Sequence, residues 1–288
     1  MRDLSDFFNP ILVKEFRQGL RARVFVSAYM LLHLLMVVSM LTSLLANESD
    51  RRGLSAMFWL MLAIPFLCML PFSGLNAVSE ERRLQTLELI YLTRLTSRRI
   101  LLGKTFSICL QMLLLLVSVM PYVVLRYYLG GVDVWFDLKL LGWMLVFGVL
   151  VTTLAVAVSA TKINNFFKWG GAVAGLFFYT WLWAIFQWLV IGGRGGSSFF
   201  TSFSEAEHVL TALMLAALFF TLFIESGCVP IAPDAENHST PLRLLALAFA
   251  AIIVVWRPWA DGVDISLALT FLSLSLPAVV AICMYACH

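Results

Sequence analysis

Three observations predict an all-α, polytopic bundle of membrane-spanning helices. Hydrophobic residues make up 61% of the chain and charged residues only 13%, against about 25% charged in a soluble domain. Apolar runs recur at the length of about 20 residues that a helix needs to cross the hydrocarbon of a bilayer. Most of the charge is gathered between those runs rather than within them. The mean hydropathy of +0.91 agrees. With no linker and no shift of composition, residues 1–288 read as a single membrane domain.

The first element, within residues 1–23, is an amphipathic interfacial helix. Asn9 can cap it, and Pro10 suits its first turn, where a missing N–H is not felt. Leu12, Phe16 and Leu20 recur on one face, while Lys14, Arg17, Gln18 and Arg21 occupy the others. Such a helix lies along the inner leaflet, against the lipid bilayer.

Apolar runs follow at 24–46, 54–78, 105–129, 138–160, 170–191, 209–224, 242–256 and 265–286. They predict a multi-pass protein of about eight spans. Six spans plus a hairpin is the alternative, because the seventh run has only 15 residues before Arg257-Pro258 stops it. That run covers roughly 22 Å of a ~30 Å core. Pro65, Pro71, Pro121 and Pro277 lie within runs and are expected to kink them. Aromatics between Trp169 and Trp188 fall on all sides of the fifth run, which suits interfacial anchoring better than a ligand-stacking stripe. The first run follows polar residues, is too long for a signal-peptide core and lacks an A-x-A end, so it reads as a retained span.

Between the second and third runs, residues 79–104 form an island of charge. Arg82, Arg83, Arg94, Arg98, Arg99 and Lys104 are six of the 20 Lys and Arg residues, and Glu80, Glu81 and Glu88 sit among them. Leu84, Leu87 and Tyr91 recur at helical spacing, which predicts a short amphipathic helix on the cytoplasmic face. A cytoplasmic N-terminus puts 14 of the 20 basic residues inside, so the positive-inside rule sets both termini in the cytoplasm. The net charge of +3 points to no nucleic acid, since the basic residues flank spans. Two longer loops, 192–208 outside and 225–241 inside, carry the Gly, Pro, Ser and Asn of mobile turns.

Catalytic patterns are missing from the sequence. There is no H-E-x-x-H and no G-x-S-x-G with a matched histidine. His33, within the first run, reads as a neutral residue bonded to a neighbouring helix, and Asn76, Gln111 and Gln187 read likewise as inter-helix hydrogen bonds. Cys68, Cys109, Cys228, Cys283 and Cys287 form no C-x-x-C pair and read as small buried hydrophobes, without a metal or disulfide role. Carboxylates lie in loops or at span ends, Glu225 deepest, which disfavours a transporter driven by protons or sodium. Gly103-Lys104-Thr105 matches the end of a P-loop, but Arg98 occupies the first glycine position and a span follows, so no nucleotide cofactor is expected on this chain.

Two segments in order around the first spans carry a resemblance. Asn9, Pro10, Leu12, Val13, Lys14, Glu15 and Arg17 form N-P-x-L-V-K-E-x-R. Glu81, Thr86, Leu87, Glu88, Leu89, Leu92, Thr93, Leu95, Thr96, Ile100, Gly103 and Lys104 form the second pattern. Together they resemble the type-2 ABC transporter permeases over roughly the first 130 residues. Gln85 and Arg94 depart from the glycine and proline usual there.

The resemblance implies a permease subunit of an ATP-driven exporter in the bacterial cytoplasmic (inner) membrane. It implies no enzyme activity of its own. ATP hydrolysis would come from a separate ABC ATP-binding subunit, and the permease would pair as a homodimer or as a heterodimer with another permease. Residues 79–104 would hold the coupling helix, and the contact with the ATPase would fall to Lys14, Glu15, Arg17, Glu81, Arg82, Thr86, Leu87, Glu88 and Tyr91. The transported substrate is not legible. A non-transporting membrane scaffold or sensor is the competing expectation.

Overall fold

The computed structural model describes residues 10–45, 51–83, 96–129, 134–161, 206–232 and 240–248, apart from 243 and 246. Among them every regular element is helical and no strand occurs. In order these are α1 (Pro10–Arg21), α2 (Arg23–Leu45), α3 (Arg51–Ala63), a π-helical stretch (Ile64–Met69), α4 (Leu70–Gly74), α5 (Ser79–Arg83), α6 (Ser97–Leu129), α7 (Val134–Ala160) and α8 (Ala206–Cys228).

Among the described residues four helices are long and apolar enough to cross a membrane: Arg23–Leu45, Met57–Glu81, Ser97–Leu129 and Val134–Ala160. They match the first four predicted runs. The sixth run, 209–224, lies on α8, and only the start of the seventh is described; the fifth and eighth fall outside the described residues, as does the aromatic stretch at 169–188.

The second span is built around its prolines. Pro65 has no N–H to give, so the helix widens there, and the Leu70 N–H donates to the Pro65 carbonyl five residues back. Pro71 follows one turn later. The expected kinks are met here by a π-helical stretch. Pro121, by contrast, is accommodated inside an unbroken α6.

This second span is the centre of the bundle. Phe58, Trp59, Leu62, Phe66, Leu67 and Leu70 are all but fully buried, against Leu32 and Met36 of α2, Leu101, Met112 and Leu115 of α6, and Met144 and Val156 of α7. The first span is its edge, with Met30, Leu34, Leu41 and Leu45 exposed. Small residues set how closely the helices approach, as in other membrane bundles. Gly148 of α7 receives the Met112 thioether. Gly227 of α8 lies against Leu101 and the backbone of Ala157.

At one end of the bundle the second, third and fourth spans share a buried ion pair. Arg126 Nη1 lies 3.3 Å from Asp137 Oδ2, and its guanidinium carbon sits 4.2 Å above the Phe58 ring. The aromatic faces and the carboxylate together offset the cost of removing a guanidinium from water. Asp137 is in this position because α7 starts at Val134, before its apolar run, which puts the carboxylate in the first turn of the helix.

His33 differs from its expected role. Its Nδ1 pairs with the Tyr29 carbonyl one turn back on its own helix (3.0 Å), and only its ring edge meets another span, at Tyr122 of α6. Asn76 is exposed rather than turned to a neighbour.

Gly227→Val is expected to push α8 off α6 and α7, because the added atoms meet the Ala157 backbone as well as the Leu101 side chain, and the backbone cannot swing aside. Overpacking of this kind costs about 1–3 kcal/mol, readable as a lower midpoint in thermal unfolding of the detergent-purified chain.

Candidate functional site

The opposite end of the bundle gathers charged residues of both motifs, Glu15, Glu81 and Lys104. α6 is far longer than its apolar run: it starts at Ser97 and carries Lys104 down into the packed region, with only 5% of the side chain exposed. An ammonium buried to that degree needs anionic partners. It has two. Lys104 Nζ lies 2.8 Å from Glu81 Oε1, at the end of the second span, and 3.5 Å from Glu15 Oε1 on α1.

The same face of α6 holds α1 a second time. Gln111, two turns beyond Lys104 and buried, fills the space beside Gly19, one turn beyond Glu15; a Cβ at Gly19 would collide with the Gln111 amide. So the amphipathic helix is not only an interfacial element. It packs along α6, ionic at one point and close-packed at the next.

Two further contacts fix this end. The second span breaks at a turn over residues 75–78, which frees backbone N–H groups that need acceptors. Ser159 Oγ of α7 accepts from both Val78 N–H (2.9 Å) and Ser79 N–H (3.1 Å). On the other side, Arg98 at the start of α6 grips Glu225 of α8 through two contacts, Nε to Oε1 at 2.7 Å and Nη2 to Oε2 at 3.0 Å. A planar guanidinium matched to both carboxylate oxygens is the stronger geometry for such a pair.

Of the residues expected to meet an ATPase, Lys14 and Arg17 are exposed on α1, whereas Glu15 and Glu81 are turned onto Lys104. Arg82 belongs to α5, and Thr86, Leu87, Glu88 and Tyr91 lie outside the described residues. The sequence reading missed Gly19, Arg98, Lys104 and Ser159 as structural partners. One signal was available: Glu15 and Gly19 share a face of α1, and Lys104 and Gln111 share a face of α6.

Chemically this end is a brace. Among the described residues no group of three His, Cys, Asp or Glu side chains could hold a metal ion. What the arrangement can do is tie α1, the end of the second span and α6 into one unit, with α7 and α8 attached. No family model, curated protein or solved structure matches the chain.

Lys104→Met should leave two largely buried carboxylates facing one another. Breaking a buried pair from one side costs about 3–5 kcal/mol. The triple variant Lys104→Met/Glu15→Gln/Glu81→Gln removes all the charge and should regain most of that loss. Thermal unfolding of the three proteins side by side checks both statements.

Proposed function

We propose that the chain is the permease subunit of an ATP-driven ABC exporter of the bacterial inner membrane, with about eight spans and both termini in the cytoplasm. Its partner is a separate ATP-binding subunit, and it functions as a pair of permeases. One observation carries the reading: Glu15 of the first motif and Glu81 and Lys104 at the two ends of the second meet in one cluster. Segments far apart in sequence that resemble the permease signature thus share one end of the bundle, which supports treating them as a single working unit.

The physical logic is mechanical. Closure of an ATPase pair displaces the segment between Glu81 and Arg98, and any displacement there bears on the two ion-paired points at its ends. Glu81 leads to α1 and α6 through Lys104; Arg98 leads to α8 through Glu225. A push on one connection therefore reaches several helices at once. The exposed Lys14 and Arg17 add register to the contact. Glu15 and Glu81 serve it by holding the brace.

Co-expression with a bacterial ABC ATP-binding subunit from the same genome is expected to yield a co-purifying complex with ATP hydrolysis. Leu87→Asp should reduce the hydrolysis supported by the complex at least tenfold while leaving the thermal midpoint of the permease unchanged. A chain that never recruits such a subunit, with Leu87→Asp without effect, would instead be a membrane scaffold or sensor.

A further inference from the structure

The ion pairs at the Lys104 end have a consequence for its surface. Among the described residues this end is mixed, with Glu15, Glu80, Glu81 and Glu225 among the basic residues. In the fold three of those four carboxylates are drawn inward, two by Lys104 and one by Arg98. Glu80 stays exposed. Exposed cations stay behind: Lys14, Arg17, Arg21, Arg23, Arg83 and Arg99. On α1 the result is a one-sided stripe, Lys14, Arg17, Gln18 and Arg21, with Arg23 also exposed just past the bend at Ala22.

The stripe is also set at a defined depth. α6 has 33 residues, a rod of about 50 Å, some 20 Å longer than a ~30 Å hydrocarbon core. Its first turns therefore project from the membrane. α1 packs beside α6 between Lys104 and Gln111, close to where α6 enters hydrocarbon, and after Ala22 the chain runs directly into the first span. The Ala22 N–H still donates to the Gly19 carbonyl (3.1 Å) and the Val26 N–H to the Ala22 carbonyl (3.2 Å), so the stripe is joined stiffly to that span.

We infer that the stripe Lys14, Arg17 and Arg21, together with the exposed Arg23 at the start of the first span, is a binding surface for the headgroups of anionic phospholipids. Guanidinium groups match phosphate oxygens in geometry as well as charge, and a row of them at headgroup depth fits a charged leaflet rather than a single soluble anion. The inference stands apart from the permease reading and is tested on the chain alone, without any ATPase that also meets Lys14 and Arg17.

The purified full-length chain is titrated in neutral detergent with short-chain phosphatidylglycerol, and in parallel with short-chain phosphatidylcholine and with inorganic phosphate. The thermal midpoint is followed. Phosphatidylglycerol is expected to raise the midpoint, the other two to leave it in place, and 1 M salt to abolish the rise. Arg17→Gln, Arg21→Gln and Arg23→Gln should each move the half-effective lipid concentration about fivefold upward. The triple Arg→Lys variant should keep most of the response, and Lys139→Gln at the opposite end should keep all of it. An unchanged titration in the Arg→Gln variants, or an equal response to inorganic phosphate or phosphatidylcholine, would overturn the inference.

Discussion

A lysine side chain with its ammonium sealed among helices is the constraint from which the rest of this molecule can be understood. A buried ammonium is costly without anionic partners, and among the described residues Lys104 has two: Glu81 from the end of the second span and Glu15 from the N-terminal helix. Satisfying one cation thereby closes a loop of contacts among α1, the second span and α6. Gly19 against Gln111 then fixes the angle at which α1 lies on α6. Ser159 and the Arg98–Glu225 pair attach α7 and α8 to the same end.

The two ends of the bundle solve a similar problem by different means. At the far end Arg126 is paired with one carboxylate and stacked on aromatic rings from the second span. At the Lys104 end the pairing is purely ionic and involves a helix that does not span. Aromatic contacts hold a guanidinium within a fixed packing of spans. The three-way ionic contact joins the bundle to a peripheral helix and to both flanks of a connection.

Much of the fold was legible because hydrophobic length is written directly in sequence. The first four apolar runs become the four long apolar helices, and the charge island falls between the second and third of them, as expected. The amphipathic face of α1 was legible too, through Leu12, Phe16 and Leu20. Partner choice was not. Nothing in the spacing of Lys104 says that it reaches Glu15, 89 residues away, and a count of charges by side of the membrane treats both as surface residues. The pairing of Asp137 was hidden for a related reason: hydropathy locates the apolar run and not the first helical turn, which begins ahead of it. The π-helical stretch was visible only as a pair of prolines, because sequence says where a hydrogen bond must be missing but not how the helix accommodates it.

The central claim is that α1 is clasped to α6 as part of the bundle. Cysteines placed at Gly19 and Gln111, with the five native cysteines replaced, and oxidised in native membranes test it most directly. An intrachain cross-link is expected to form rapidly, with the cysteine at position 19 shielded from a water-soluble maleimide. Absence of the cross-link, together with labelling at position 19 as fast as at the exposed position 14, would contradict it.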